Sequence, residues 1–460
     1  MSQRLSLRTA AWLRELKENP VFLTWLAAVV GSLALGCFFP ALPWVLIPVA
    51  VIGHGIQILA EARKSVRMRL GAACAVSLVI TVASAWIAGF HNPETCPLSL
   101  DDATYLVQGK AIAEAWKSGL FPSLSSKGST PYYIGSLHTG YQRLLAGAFY
   151  LLRADYRFGI LLNFIAASLL PLFVYSAVLT LLKTHSPSEL ASKGALRGTW
   201  LVALYPSIGY WASWLLKDVV LALIFAAAIA GALDFAYRHR PEHLLYLAAS
   251  LVALGVFRAY SALAVLAGTA VYLLAKLPHR QSLQGLAILG FLLLLASYDE
   301  RWAAFERQLL YSLGELLPDS VRTPREGLLY VLGGFPRLLL SPYAWVRARV
   351  ENPMYELYPG MWWLYLVGYP LAVIGITRLA RHNIVLAVIP LIAWFASAII
   401  LILAYGGAAP RQRLYLDVLV FVFAGCGTVE RPQKWLLVAW YLGLGVYVTI
   451  HLLTLDMRGV

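Results

Sequence analysis

Charge is what this sequence has least of. Only 13% of its 460 residues are Asp, Glu, Lys or Arg, against about 25% in an ordinary soluble domain. With 60% hydrophobic residues and a mean hydropathy of +0.69, no water-soluble packing could bury the apolar surface, which excludes a soluble globular domain. Cysteine is scarce too. Cys37, Cys74 and Cys426 fall inside apolar stretches and only Cys96 lies in a loop, so no disulfide framework can be argued. The chain has no Walker loop, no HExxH and no GxSxG, which leaves nucleotide hydrolysis and the common protease and lipase chemistries without support. Its nine His residues are scattered, and no pair has metal-ligand spacing on a helix face. No linker rich in Pro, Gly or Ser divides the chain, and no internal repeat is visible.

What fills the sequence instead is a series of apolar blocks with charges gathered between them, at 22–39, 42–60, 70–90, 158–182, 198–216, 219–236, 244–257, 261–275, 283–297, 361–379, 384–404, 414–428 and 435–453. Most are the length a helix needs to cross hydrocarbon. Barrel strands would alternate apolar and polar residues. The expected fold is therefore all-α, a polytopic transmembrane bundle of about 13 spans. The N-terminal residues, with Leu5, Trp12, Leu13 and Leu16 among basic residues, suit a surface helix. They precede a full-length apolar run without a small-residue cleavage site, which reads as a retained anchor.

The formal net charge of +14 would point to nucleic acid in a soluble protein. In a membrane protein it has a simpler origin, because cytoplasmic loops collect Lys and Arg. With the N-terminus in the cytoplasm, EARKSVRMR, KTHSPSELASKGALR, YRHRPEH, KLPHRQS, RLARH and VERPQK all fall on the cytoplasmic side, each with at least two Lys or Arg. A multi-pass protein of a bacterial inner membrane is expected, with no nucleic-acid partner. Two long loops, 91–157 and 298–360, then face outward and carry helices beside the membrane. The segment 133–152 is apolar but interrupted by His138, Gly140, Gln142 and Arg143. Counting it as a crossing would invert every later loop, so it is read as a helix lying along or dipping into the outer surface. The chain divides into 1–69, a surface helix and two spans; 70–297, a span, the first outer loop and six spans; 298–360, the second outer loop; and 361–460, four spans.

Chemistry-bearing residues gather in the outward connections. The stretch LSLDDATYLVQGKAIAEAWKSG opens with Asp101 and Asp102 and continues with apolar residues at helical spacing. One Asp at a helix start caps free amides and complements the dipole; the second is surplus to that task. Lys217 and Asp218 interrupt two apolar runs at the outer boundary, where an ionisable group is either functional or paired. Arg258 in FRAY and Arg411 and Arg413 in RQRLYLD face the same side. They suit bidentate contact with a phosphate, or simple snorkelling to lipid headgroups. Arg337, Arg347 and Arg349 lie in the second outer loop. Tyr105, Tyr132, Tyr133 and His138 in the first loop, with Trp345, Tyr355, Trp362 and Trp363 around the second, form either an interfacial aromatic belt or a surface on which sugar rings stack.

These features together resemble the C-type membrane glycosyltransferases, a superfamily that includes protein O-mannosyltransferases and lipid A aminoarabinose transferases. The shared features are a span, a long outer loop opening on acidic residues (here LDDATY), six spans, a second long outer loop and a late Arg-x-Arg-apolar stretch (here RQRLYLD). The segment SPYAWVRARVENPMYELYPGMWWL is similar to a loop of exopolysaccharide-associated bacterial members. The chain differs in having Asp-Asp where Asp-Glu is common, two extra N-terminal spans and no C-terminal soluble domain. The resemblance implies an inverting transfer of sugar from a polyprenyl-phosphate donor to a glycan, lipid or protein acceptor at the outer face. Asp101 or Asp102 would be the general base, Asp218 a second acid, and Lys217, Arg258, Arg411 and Arg413 the phosphate ligands. Tyr105, Tyr132, Tyr133 and His138 would contact the acceptor, and Mg or Mn could be held by Asp102 and Asp218. A polymerase or ligase using polyprenyl-diphosphate glycans and a lipid-linked saccharide flippase are the alternatives.

Overall fold

The computed structural model describes residues 42–88, 100–119, 140–153, 155–238, 240–276, 324–340, 358–382, 384–405, 411–427 and 434–456. The regular structure of these residues is all helical, with no strand among them. In chain order the helices are α1 (Leu42–Glu61), α2 (Lys64–Ala88), α3 (Leu100–Lys117), α4 (Gly140–Leu151), α5 (Tyr156–Lys183), α6 (Ser188–Ala203), α7 (Pro206–Ala212), α8 (Asp218–Arg238), α9 (Pro241–Lys276), α10 (Pro324–Leu340) and α11 (Tyr358–Trp363). A π-helical turn, Leu364–Gly368, joins α11 to α12 (Tyr369–His382), and α13 (Ile384–Tyr405), α14 (Leu414–Cys426) and α15 (Lys434–Asp456) follow. Six helices among the described residues are long and apolar enough to cross a membrane, within α2, α5, α8, α9, α11 to α12 and α13. The expected spans at 22–39 and 283–297 lie outside the described residues.

Helix α8 is the axis of the bundle. It is apolar around its whole circumference and almost wholly buried, as a helix enclosed by other helices must be. Helices α5, α9 and α14 pack around it. By contrast α2 and α15 expose Val79, Trp86, Trp435 and Leu442, side chains that suit lipid. Small residues let the inner helices close up: at Gly375 of α12 a Cβ would overlap the carbonyl oxygen of Phe423 on α14.

Helix α9 is a hairpin. Its Leu247 backbone lies against Gly231 of α8, and its Tyr272 hydroxyl donates to Ala236 O at 2.9 Å. The two α9 positions are 25 residues apart, about 38 Å along a straight helix, yet they meet α8 at points only about 8 Å apart. The reversal is at Arg258, whose φ of −164° and ψ of 88° break the helix. The runs 244–257 and 261–275 are therefore two antiparallel arms, as the sequence suggested.

One expectation is corrected. The run 198–216 is not one continuous helix: α6 starts at Ser188, ends at Ala203, and is followed by the short α7 and a non-helical stretch at 213–217. Pro206 explains the break, because it lacks an N–H and disfavours helical backbone at Tyr205, which is extended (φ −77°, ψ 108°). Of the segment 133–152, the helix α4 covers 140–151, and 133–139 lie outside the described residues. Residues 140–149 are all buried, with Gly140 against Phe257 and Gln142 Nε2 donating to Gln108 Oε1 of α3 at 3.1 Å.

The ends of the helices sort into two groups. Asp101, Asp218, Arg258 and Arg411 meet at the start of α8. Glu61, Lys183, Asp234, Arg238 and His243 line one cavity at its end, and nearby His185 stacks on His382 while Arg378 donates to Ser186 Oγ. Among the described residues, the basic connections around 61–63, 183–186, 238–243 and 378–382 thus share one end of the bundle.

Candidate functional site

The site at the start of α8 is assembled from four separate parts of the chain. The first turn of α3 supplies Asp101, the start of α8 supplies Lys217 and Asp218, the turn of the α9 hairpin supplies Arg258, and the turn before α14 supplies Arg411. Arg411 joins both acids: its Nη2 donates to Asp101 Oδ2 and its Nε lies 3.3 Å from Asp218 Oδ2. Arg258 Nη2 approaches Asp218 Oδ1 at 3.9 Å, and its Nη1 donates to Gln412 O at 3.4 Å. The Arg258 guanidinium also lies over the rings of Tyr260 and Tyr415, at 5.4 and 5.6 Å, an arrangement that suits a cation removed from water.

Exposure separates the two acids of the network. The side chain of Asp218 is 3% exposed and that of Asp101 46%. Only Asp101 presents a carboxylate edge to an incoming molecule. Asp218 is enclosed between two guanidinium groups, a charge arrangement stable only when every partner stays in place.

Lys217 stands over the Tyr105 ring at 5.6 Å in the connection before α8. Burial, together with the neighbouring Arg258 charge, pulls its ammonium down to about 8. Tyr105 moves the other way: burial and the Asp218 charge hold its hydroxyl proton well above the ordinary value, so it remains a donor. Three cationic groups therefore converge beside two acids, and an anion entering here meets guanidinium and ammonium donors in a setting that strengthens charge-assisted bonds.

The geometry of the whole turn rests on a residue that the sequence reading passed over. Asn163, in the apolar interior of α5, donates from Nδ2 to Trp214 O at 2.6 Å and to Leu216 O at 2.9 Å. It satisfies two carbonyls of the non-helical stretch and fixes the entry to Lys217 and Asp218. The signal was present: an amide inside an apolar span is expensive and needs a partner.

The remaining candidates divide. Asp102 is buried, and its Oδ1 accepts the Ala103 N–H at 2.9 Å, a local bond at the start of its own helix. Arg413 points elsewhere. Its Nε pairs with Asp417 Oδ1 at 3.0 Å, its Nη1 donates to Leu338 O and its Nη2 lies 2.9 Å from Met361 Sδ. Asp417 in turn accepts the Tyr205 hydroxyl at 3.0 Å. Arg413 thus ties α14 to α10 and α11 and is not in the Asp218 network. Tyr132, Tyr133, His138, Trp345, Arg347, Arg349 and Tyr355 lie outside the described residues. Comparison of the chain with models of protein families, with curated proteins and with solved structures finds no match.

Proposed function

We propose that this chain is a membrane-embedded glycosyltransferase of the C-type kind, moving a sugar from a polyprenyl-phosphate donor to a hydroxyl acceptor with inversion. The observation that carries the reading is Arg411 bound to both Asp101 and Asp218, with Arg258 and Lys217 beside them. Transfer needs a carboxylate to take a proton and fixed positive charge where the leaving phosphate gains its negative charge. Asp101, the accessible acid, takes the proton of the acceptor hydroxyl. The acceptor oxygen bonds to the anomeric carbon as the bond from that carbon to the phosphate oxygen breaks. The electron pair leaves with the polyprenyl phosphate, where Arg411, Arg258 and Lys217 offset it. Asp218 holds the two arginines in position.

A divalent metal shared by Asp102 and Asp218 fits this arrangement poorly. Asp218 already lies beside two guanidinium groups, which repel a second cation and supply the charge a metal would bring. In this reading the chain crosses a bacterial inner membrane about 13 times, with the N-terminus inside and the site facing out. Glycan, lipid and protein acceptors all remain compatible with it.

The test is transfer from a synthetic polyprenyl-phosphate sugar by the purified protein. Wild type should release polyprenyl phosphate and Asp101→Asn should not. Normal transfer by Asp101→Asn removes the assignment. A flippase would bind the same donor and leave its glycosidic bond intact, so bound but unconsumed donor favours that alternative.

A further inference from the structure

About 24 Å along α8 from Asp218, a second cluster answers to a different chemistry. His54 of α1, Asp234 of α8 and His243 at the start of α9 each offer one ligand atom to a group in which these atoms lie within 4.8 Å of one another. All three line a cavity of about 260 Å³. We propose that they form a binding site for a divalent transition-metal ion, zinc foremost, with its fourth position open to that cavity.

Three observations support the site independently of the glycosyltransferase reading. The first is polar accounting. His54 and His243 are each 2% exposed, and all four of their ring nitrogens lack a hydrogen-bond partner. A buried polar group without a partner costs about 1–3 kcal/mol, and two whole imidazoles in that condition beside one carboxylate call for an electrophile. The second is the setting of Asp234. Ser176 Oγ donates to its Oδ2 at 2.7 Å and Thr180 Oγ1 to its Oδ1 at 2.5 Å. Those hydroxyls fix the carboxylate while leaving each oxygen a free lone pair, as supports around metal-binding carboxylates do. The third is the choice of donors. Two imidazoles and one carboxylate match zinc with an exchangeable fourth ligand, whereas Mg and Ca prefer oxygen alone.

The ligand atoms need only close in. Bonds of about 2.1 Å place tetrahedral ligands about 3.4 Å apart, so side-chain rotation of roughly an ångström completes the shell. Arg238 is the local competitor, its Nε lying 3.8 Å from Asp234 Oδ1. It is engaged more closely by Glu61, and it forms with Arg63 and Lys183 a basic lining of the cavity. That lining selects the fourth ligand: a hydroxide or a small anion, which offsets the added charge of the ion.

The experiment uses the full-length protein in detergent micelles, stripped with chelator, reloaded with Zn²⁺ or Co²⁺ and desalted. Wild type should retain one equivalent of zinc, gain thermal stability on loading, and with Co²⁺ show the intense visible bands of a four-coordinate ion. His54→Gln with His243→Gln should lose all three signals while keeping its helical circular dichroism. Thr180→Val, which removes a support and no ligand, should weaken zinc about 10- to 100-fold and serves as the decisive arm if the double variant does not fold. Wild type that retains no zinc, or zinc retention unchanged in the double variant or in Thr180→Val, overturns the proposal.

Discussion

At the residue scale, the network around Asp218 makes separable predictions. Asp101→Asn keeps the shape of the site and removes the base, so transfer should fall about 10²- to 10⁴-fold with donor binding retained, as read by turnover and by lipid-phosphate binding on the same preparation. Asp218→Asn removes the buried partner of two arginines, and the loss should appear in stability, on the order of 3–5 kcal/mol, measured by unfolding in detergent. Lys217 adds a pH dependence. Its ammonium is lowered to about 8 by burial first and by Arg258 next, so the cation is present below that pH and lost above it. Affinity for an anionic lipid phosphate should therefore drop as pH rises through about 8, and Lys217→Met should flatten that step. Much of this site was legible in the sequence, because an acid or an arginine beside an apolar run is conspicuous. What the sequence could not separate was neighbours. Asp101 and Asp102 read alike, as did Arg411 and Arg413, and in each pair only helix geometry decides which side chain turns inward to the Asp218 network.

At the element scale, the irregular backbone at 213–217 is the feature on which the site depends, and Asn163 is what holds it. Asn163→Leu preserves the apolar character of α5, leaves Leu216 O without its donor and leaves Trp214 O with the Leu216 N–H alone. The stranded Leu216 carbonyl costs about 1–3 kcal/mol. The variant should lose stability by a few kcal/mol and lose transfer beyond that loss, because Lys217 and Asp218 are no longer fixed; residual transfer per folded molecule, counted by size-exclusion recovery, distinguishes the two effects. The apolar run containing this stretch shows why helix boundaries were harder to read than helix existence. Hydropathy is continuous through 198–216, while hydrogen bonding is interrupted at Pro206 and then redirected to Asn163, which lies 51 residues from Trp214. The Arg258 reversal was visible as a charged interruption between two apolar arms. The burial of 140–149 was not, since a polar-interrupted apolar helix has the same pattern whether it lies under lipid headgroups or beneath neighbouring helices.

At the scale of the whole molecule, α8 separates two polar regions by the thickness of a hydrocarbon core, and the helix ends sort between them consistently. Helix α2 leads away from the end at which Glu61 and Arg63 line the cavity. Helix α5 returns to that end at Lys183, and α8 leads back to it at Arg238. Because α2 and α5 are antiparallel in this sense, any crossings between them are even in number, which is compatible with leaving 140–151 out of the count. The metal ligands proposed from α1, α8 and α9 escaped the sequence reading for the same reason that the bundle has two ends: they lie on three helices, and only the fold makes them neighbours. The arrangement predicts the outcome of cysteine labelling. In a background with Cys37, Cys74, Cys96 and Cys426 replaced, Ser118→Cys, just beyond α3, and Ser188→Cys, at the start of α6, should react with a membrane-impermeant maleimide from opposite sides of sealed vesicles. The positive-inside pattern of the loops places Ser188 on the cytoplasmic side, so right-side-out vesicles should label Ser118→Cys alone. Labelling of both from one side would place a crossing within 119–187 that this helix order does not contain, and Asp101 could then no longer share a membrane face with Asp218.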